Sequence, residues 1–169
     1  MITCTILSFL VIAAYTAAVC VKQKGIPYSM SSTYYKLSHP YWFMVVMWGT
    51  ALLLMPAVLE SSREGTEWAA FLALAGLMLV GATPKCREEY EGKIHNAGAI
   101  ESVAMSQLWV ILNQPLVLYV WMAWAIYTIT YMARHMTDDV ESDFKRTRPL
   151  FWVEMVALVA VYLTVIINI

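Results

Sequence analysis

The sequence predicts an all-α protein, a polytopic transmembrane bundle of six helices. Two observations predict this fold: the length of the apolar stretches and the distribution of basic residues between them. Hydrophobic residues make up 60% of the chain and charged residues 14%, whereas soluble domains average about 45–50% apolar and about 25% charged residues. The apolar excess lies in runs long enough to cross a bilayer, which takes roughly 20 helical residues. Residues 1–169 are therefore assigned to a single transmembrane domain.

Basic residues give the predicted bundle an orientation. Of the 11 Lys and Arg residues, all except Arg63 lie in three loops, at 22–36, 85–93 and 134–148, which alternate with loops that carry almost no basic charge. Cytoplasmic loops retain Lys and Arg, so these three loops are predicted to be cytoplasmic. The N- and C-termini then lie outside and the long loops are cytoplasmic. A multi-pass protein of the plasma (inner) membrane is expected.

The six predicted spans are 2–21, 41–59, 68–83, 95–112, 116–133 and 149–169. The first span is expected to stay in the protein, because no basic residue precedes it and Lys22 and Lys24 follow it, the reverse of a signal peptide. The fourth and fifth spans share one apolar stretch that as a single helix would be roughly 58 Å long, about twice the hydrocarbon thickness of a bilayer. Asn113, Gln114 and Pro115 divide it, because polar residues followed by proline mark a turn.

One face of the fourth span is less lipid-like than the others. At helical spacing, His95, Ser102 and Ser106 fall on one stripe, which is expected to face protein. One interpretation is close helix packing, since Gly98, Ser102 and Ser106 repeat every four residues and small residues let helix backbones approach. The other interpretation makes this face one wall of a polar cavity. Both stay open, because they can apply to different halves of the helix.

Two acidic residues are predicted inside spans. Glu101 lies well within the apolar layer, where a carboxylate costs about 2.5–3.5 kcal/mol on insertion scales, so it is expected to face protein or water. It is a candidate proton carrier, cation ligand or acid/base group, and the alternative is a structural hydrogen bond from protonated Glu101 to a neighbouring helix. Glu154, about one turn inside the sixth span, is a candidate ligand-binding residue. Its alternative is an interfacial ion pair with Arg146 or Arg148.

The fifth span carries a stripe of large aromatic side chains. Trp121, Trp124, Tyr127 and Tyr131 make up this stripe. Bulky helix packing is one interpretation, and the wall of a site for a lipid or a ring-shaped ligand is the other. On the second interpretation, Trp124 and Tyr127 contribute to the ligand site.

The histidines and cysteines form no specific metal or redox motif. His39, His95 and His135 all lie at the predicted cytoplasmic boundary, so they are candidates for a shared transition-metal site. Glu154 or Cys86 would be a further ligand. No CxxC, HxxH or HExxH spacing supports such a site. No cofactor and no catalytic residue is therefore assigned.

The leading functional hypothesis is a small integral membrane protein that binds or transports a small molecule, ion or lipid through a polar cavity open to the cytoplasmic side. The expected site residues are Glu101, His95, Ser102, Ser106, Trp124, Tyr127 and Glu154. The lipid bilayer is the expected partner, and a chain of this size is expected to form a homo-oligomer or to join a larger membrane complex. The net charge of −1 gives no basic excess that would indicate nucleic acid binding.

Two other classes of function stay open. One is an accessory or scaffold subunit of a membrane complex, which would hold its partner through the cytoplasmic loops. The other is a membrane-embedded enzyme acting on a lipid or isoprenoid, with Glu101 and His95 as acid/base groups or with a histidine-bound metal. An enzyme is the less favoured class, because the chain lacks the Gly-x-Ser-Gly of rhomboid proteases and the histidine boxes of desaturases.

Overall fold

Helices account for all the regular structure in the part of the chain that the computed structural model describes, residues 1–36, 39, 41–83, 89–135, 137 and 139–169. The α-helices there are α1 Ile2–Gln23, α2 Tyr41–Glu60, α3 Glu67–Ala82, α4 Glu89–Asn113, α5 Tyr119–Arg134, α6 Val140–Arg146 and α7 Pro149–Asn168. Two short 3-10 helices cover Ser31–Lys36 and Pro115–Leu118. No strand occurs within these ranges, so the all-α prediction is confirmed for them.

Four helical segments are long and apolar enough to cross a membrane. They are Ile2–Gln23, Tyr41–Glu60, Pro115–Arg134 and Pro149–Asn168. The third of these joins the second 3-10 helix to α5. α3 is apolar but has only 16 residues, whereas α4 has 25 residues and carries charged side chains in its N-terminal half. The prediction of a membrane protein with transmembrane helices is supported by these four segments.

The helices follow the predicted spans closely, with three differences at the loops. α4 begins at Glu89 rather than at 95, because its first turn has acidic residues and Glu89 pairs with Lys93 at 2.7 Å. The fifth span begins as a 3-10 helix after the predicted turn at Gln114. α6 lies in a region expected to be a solvated loop, where the Asp139 side chain accepts a hydrogen bond from the Ser142 N–H (3.1 Å) and caps the helix.

The small-residue pattern of α4 packs directly against α3. A Cβ atom added to Gly76 of α3 would lie 2.6 Å from the Ser102 nitrogen and 2.7 Å from the Gly98 oxygen. A Cβ atom on Gly98 would lie 2.9 Å from the Leu79 Cβ. The two backbones therefore touch, and the packing interpretation is confirmed for Gly98 and Ser102.

The remaining helices surround this pair. α2 packs between α1 and α3, α4 packs against α7, and α5 lies at the edge against α7. The Ser8 hydroxyl donates to the Thr50 carbonyl (3.0 Å) and lies 2.7 Å from the Tyr162 hydroxyl, so α1, α2 and α7 are joined by a buried polar contact.

Asn113, one of the residues that divide the long apolar stretch, also holds the end of α4 in place. Asn113 is 1% exposed. Its Oδ1 accepts a hydrogen bond from the Arg63 N–H (2.6 Å), and its Nδ2 donates to the Trp109 carbonyl (2.8 Å) and the Thr66 hydroxyl (3.2 Å). The Trp109 indole N–H donates to the Ser62 hydroxyl (2.8 Å). The C-terminal end of α4 is thereby fixed to the segment between α2 and α3.

The segment between α1 and α2, predicted to be a cytoplasmic loop, folds back against the helices. Ser29, Met30 and Thr33 are 7%, 5% and 0% exposed, respectively. The Thr33 hydroxyl is hydrogen-bonded to the Tyr15 hydroxyl of α1. This contact places Met30 between the helix ends, next to the N-terminal part of α7.

Candidate functional site

A cavity of about 110 Å³ lies between α1, α2, α3, α4 and α7. Most of its lining is apolar, including Ile12, Met47, Leu54, Leu74, Val80 and Val161. Polar groups come from Ser31, Thr50, Ser102, Ser106 and Glu154. The cavity differs from the polar cavity expected from the sequence, because one helix contributes the serine face and four others contribute mainly hydrocarbon.

Alanines on neighbouring helices leave the space open. Ala70 and Ala73 of α3, Ala99 of α4 and Ala157 of α7 all line the cavity. Protein interiors are otherwise close-packed, so a void of this size needs small side chains on several facing helices. Their small side chains form part of the cavity wall and leave its volume unfilled.

Glu154 is the acidic group of the cavity, and it is bound to the folded-back segment. Its Oε2 accepts a hydrogen bond from the Met30 N–H at 2.6 Å, so the side chain of α7 is joined to the backbone of that segment. Met30 and Ser31 themselves line the cavity. The segment between α1 and α2 therefore covers the end of the cavity nearest the start of α7, and Glu154 fixes it there.

Thr50 provides a second polar group in the cavity. Its Oγ1 is buried and makes no hydrogen bond with any residue that the structure describes. Because Thr50 also lines the cavity, its hydroxyl is available to hydrogen-bond a molecule bound there. By contrast, the Ser106 hydroxyl donates to the Val103 carbonyl (2.9 Å) and accepts from the Gln107 amide (3.1 Å).

Three of the residues predicted from the sequence meet at this cavity, and the others lie elsewhere. Ser102, Ser106 and Glu154 line it. His95 is 5% exposed, and its Nδ1 lies 3.0 Å from the Thr83 carbonyl at the end of α3. Glu101 is half-buried outside the lining, and it has no hydrogen bond or ion pair within the described ranges.

The predicted aromatic residues of α5 also lie outside the cavity. Trp124 packs edge-to-face on Trp121, with ring centroids 5.8 Å apart. Tyr127 is 41% exposed and packs on Trp152 of α7 at 5.6 Å. Tyr127 thus packs against α7, whereas Trp121 is bonded to α4 by a contact that was not foreseen: its indole N–H donates to the Gln107 Oε1 at 2.8 Å.

Two residues of the cavity were missed by sequence reasoning. Thr50 had a signal, because it is an isolated hydroxyl residue in the middle of the apolar α2. Met30 had none, because its contact with Glu154 joins positions 124 residues apart and uses a backbone N–H.

The histidines do not assemble a metal centre in the described part of the chain. No three His, Cys, Asp or Glu side chains come together there. His39 is exposed, and His135 is exposed with its ring stacked on Tyr131 at 4.4 Å. Cys86, the further ligand considered for this site, lies outside the described residues.

Comparison with known proteins found no matching family model, no matching curated protein and no matching solved structure. The functional argument therefore rests on the residues of this chain.

Proposed function

We propose that this chain is a small multi-pass membrane protein that binds an apolar, lipid-like small molecule in the cavity between α1, α2, α3, α4 and α7. One observation carries the proposal: a mostly apolar cavity between five helices holds the carboxyl group of Glu154 and the hydroxyl of Thr50, which has no hydrogen-bond partner among the described residues. Ligand sites are typically apolar pockets with a few polar groups that orient the ligand.

The lining sets the chemistry of the ligand. Apolar cavities of about 150 Å³ hold a benzene-sized molecule, so the smaller cavity of about 110 Å³ fits the end of a hydrocarbon chain. Glu154 and Thr50 favour a ligand that also carries a hydroxyl or an amine, because both side chains accept hydrogen bonds. An apolar alcohol or amine, or the end of an isoprenoid chain with such a group, meets both requirements.

The proposal includes six membrane crossings, by α1, α2, α3, α4, α5 and α7, with both termini outside. Of these, α3 is apolar but short, and α4 is long but carries charged side chains, so neither is among the four candidate membrane spans. Gly81 near the end of α3 packs on Met47 and Trp48 of α2, and Asn113 at the end of α4 is bonded to the segment after α2. α3 thus runs back alongside α2, and α4 packs along α3, which supports their crossing with α2.

Cysteine labelling tests the crossing of α3 and α4. In a variant whose native cysteines are replaced by serine, Tyr90→Cys adds a thiol at a position that is 73% exposed. We expect a membrane-impermeant maleimide to label it only in inverted vesicles, whereas Glu64→Cys, in the exposed segment between α2 and α3, is labelled on intact cells. Labelling of Tyr90→Cys on intact cells would mean that α3 and α4 form a hairpin on the outer side.

Filling the cavity tests ligand binding. Ala73 lines the cavity, whereas Ala75 on the same helix is exposed. We expect the amount of co-purifying apolar molecule to be at least roughly tenfold lower in Ala73→Leu than in the wild type. The added side chain would occupy the volume that the ligand needs. Mass spectrometry of organic extracts from the purified proteins measures this. Equal amounts in Ala73→Leu, Ala75→Leu and the wild type would reject the cavity as the binding site.

A further inference from the structure

A second pocket, of about 390 Å³, opens where the C-terminal ends of α1 and α5 meet the start of α7. Its lining residues are Gln23, Lys24, Gly25, Ile26, Tyr127, Tyr131, Arg146, Thr147 and Arg148. None of them lines the central cavity, so the two sites are separate. Tyr127, expected from the sequence to contact a ligand, belongs to this pocket.

The pocket is rich in cationic groups and hydrogen-bond donors. Lys24, Arg146 and Arg148 line it, and none of the acidic side chains that the structure describes does. Lys24 and Arg148 form no ion pair with any described residue, and Arg146 lies 3.8 Å from the Asp143 carboxylate. The Gln23 Nε2 is buried and makes no hydrogen bond within the described ranges. The buried amide donor and the cationic side chains of Lys24 and Arg148 therefore offer hydrogen bonds and positive charge to an anionic group.

The backbone at this pocket adopts an unfavourable conformation at two places. Lys24 has φ 53° and Arg148 has φ 55°, and among the described residues these are the only non-glycine positions with positive φ. Glycine and asparagine are the usual residues in this conformation, yet a basic side chain stands at both positions. Lys24 is the left-handed C-cap of α1 and Arg148 precedes α7, so two helix ends present basic side chains to this pocket.

The surrounding contacts hold these two positions close together. The Gly25 N–H donates to the Cys20 carbonyl (3.0 Å), which ends α1 at Lys24. The Phe151 N–H in the first turn of α7 donates to the Tyr28 carbonyl (3.2 Å). The segment after α1 is therefore bonded to the start of α7, and the Lys24 and Arg148 side chains line one opening.

The geometry points to a binding site for an anionic phosphate group at this pocket, separate from the ligand of the central cavity. Arginine guanidinium groups bind phosphate oxygens in a bidentate manner, and basic pockets between membrane helices on the cytoplasmic side bind anionic headgroups. Tyr127 and Tyr131 add ring faces and hydroxyl groups beside the cations. The phosphate belongs either to a lipid headgroup or to a soluble phosphate ester.

Paired neutralisation tests the site. The double variant Lys24→Asn/Arg148→Asn removes two charges and keeps residues that tolerate positive φ. The control Lys93→Gln/Lys145→Gln removes the same charge from two exposed helix positions outside the pocket. Native mass spectrometry of the detergent-purified proteins measures binding of short-chain phosphatidylglycerol, and calorimetry measures binding of inorganic phosphate and glycerol phosphate.

We expect the pocket variant to bind its phosphate ligand roughly 10- to 30-fold more weakly than the wild type, and the control to bind like the wild type. Loss of phosphatidylglycerol binding alone identifies a lipid headgroup, whereas loss of glycerol phosphate or inorganic phosphate binding identifies a soluble ligand. Both results support the site. Equal weakening in the pocket variant and the control, unchanged binding in the pocket variant, or no binding of any probe by the wild type overturns it. Unaltered elution and thermal unfolding of the pocket variant verify that it is folded.

Discussion

Replacement of Gly76 by alanine is expected to destabilise the protein by about 3 kcal/mol, the upper part of the range for overpacked interiors. The added Cβ would lie 2.6 Å from the Ser102 nitrogen and 2.7 Å from the Gly98 oxygen. Both neighbours are backbone atoms of α4, so no side-chain rotation can relieve the contact. α3 and α4 would therefore have to separate. These two helices contribute Ala73 and Ser102 to the cavity wall, so the cavity would change as well.

Gly49 provides the matched control for this substitution. It lies within α2, and a Cβ added there meets nothing within 4 Å. Gly49→Ala is expected to be neutral or stabilising by up to about 1 kcal/mol, because alanine favours helix more than glycine does. Thermal unfolding of the purified proteins, followed by circular dichroism and elution volume, measures both effects. Equal unfolding temperatures for the two variants would contradict the close contact of α3 with α4.

Replacement of Glu154 by leucine is expected to release the segment between α1 and α2. The variant leaves the Met30 N–H without its acceptor, which lies at 2.6 Å in the wild type. Leaving a buried donor without its acceptor costs about 1–3 kcal/mol, so amide exchange at Met30 is expected to be roughly tenfold or more faster. Hydrogen–deuterium exchange of the peptide that contains residues 29–33 measures this directly.

Two variants make the result specific to Glu154. Glu154→Gln keeps an oxygen acceptor and is expected to preserve most of the protection at Met30. Glu101→Leu removes an acidic residue of α4 that has no polar partner within the described ranges, and it is expected to leave this peptide unchanged. If Glu101→Leu exposed the segment as much as Glu154→Leu did, the bond between Met30 and Glu154 would not be what holds it.

Hydropathy and small-residue spacing predicted much of the fold, because these features are local along the chain. The turn at Asn113, Gln114 and Pro115 ends α4 as expected, and Gly98 with Ser102 packs on α3 as the four-residue spacing predicts. The orientation of the helices and the number of crossings are global properties. They stay predictions that the Tyr90→Cys experiment tests.

The candidate site was less predictable, since it depends on contacts distant in sequence. Ser102, Ser106 and Glu154 were found because polar residues in apolar stretches are conspicuous. The volume of the cavity comes from alanines such as Ala73 and Ala157, which leave no distinct signal in hydropathy. No periodicity shows that a loop folds back, so the bond from Met30 to Glu154 was not foreseen.

The cavity is the centre of this account, and its occupancy in protein taken from native membranes tests it most directly. A crystal structure of the wild type, purified with its co-extracted lipids, is expected to contain electron density for an apolar molecule that contacts Thr50 and Glu154. The same preparation of Ala73→Leu is expected to have no such density and an otherwise unchanged helix arrangement. An empty cavity in the wild type, or identical density in both proteins, would contradict the proposed ligand-binding function.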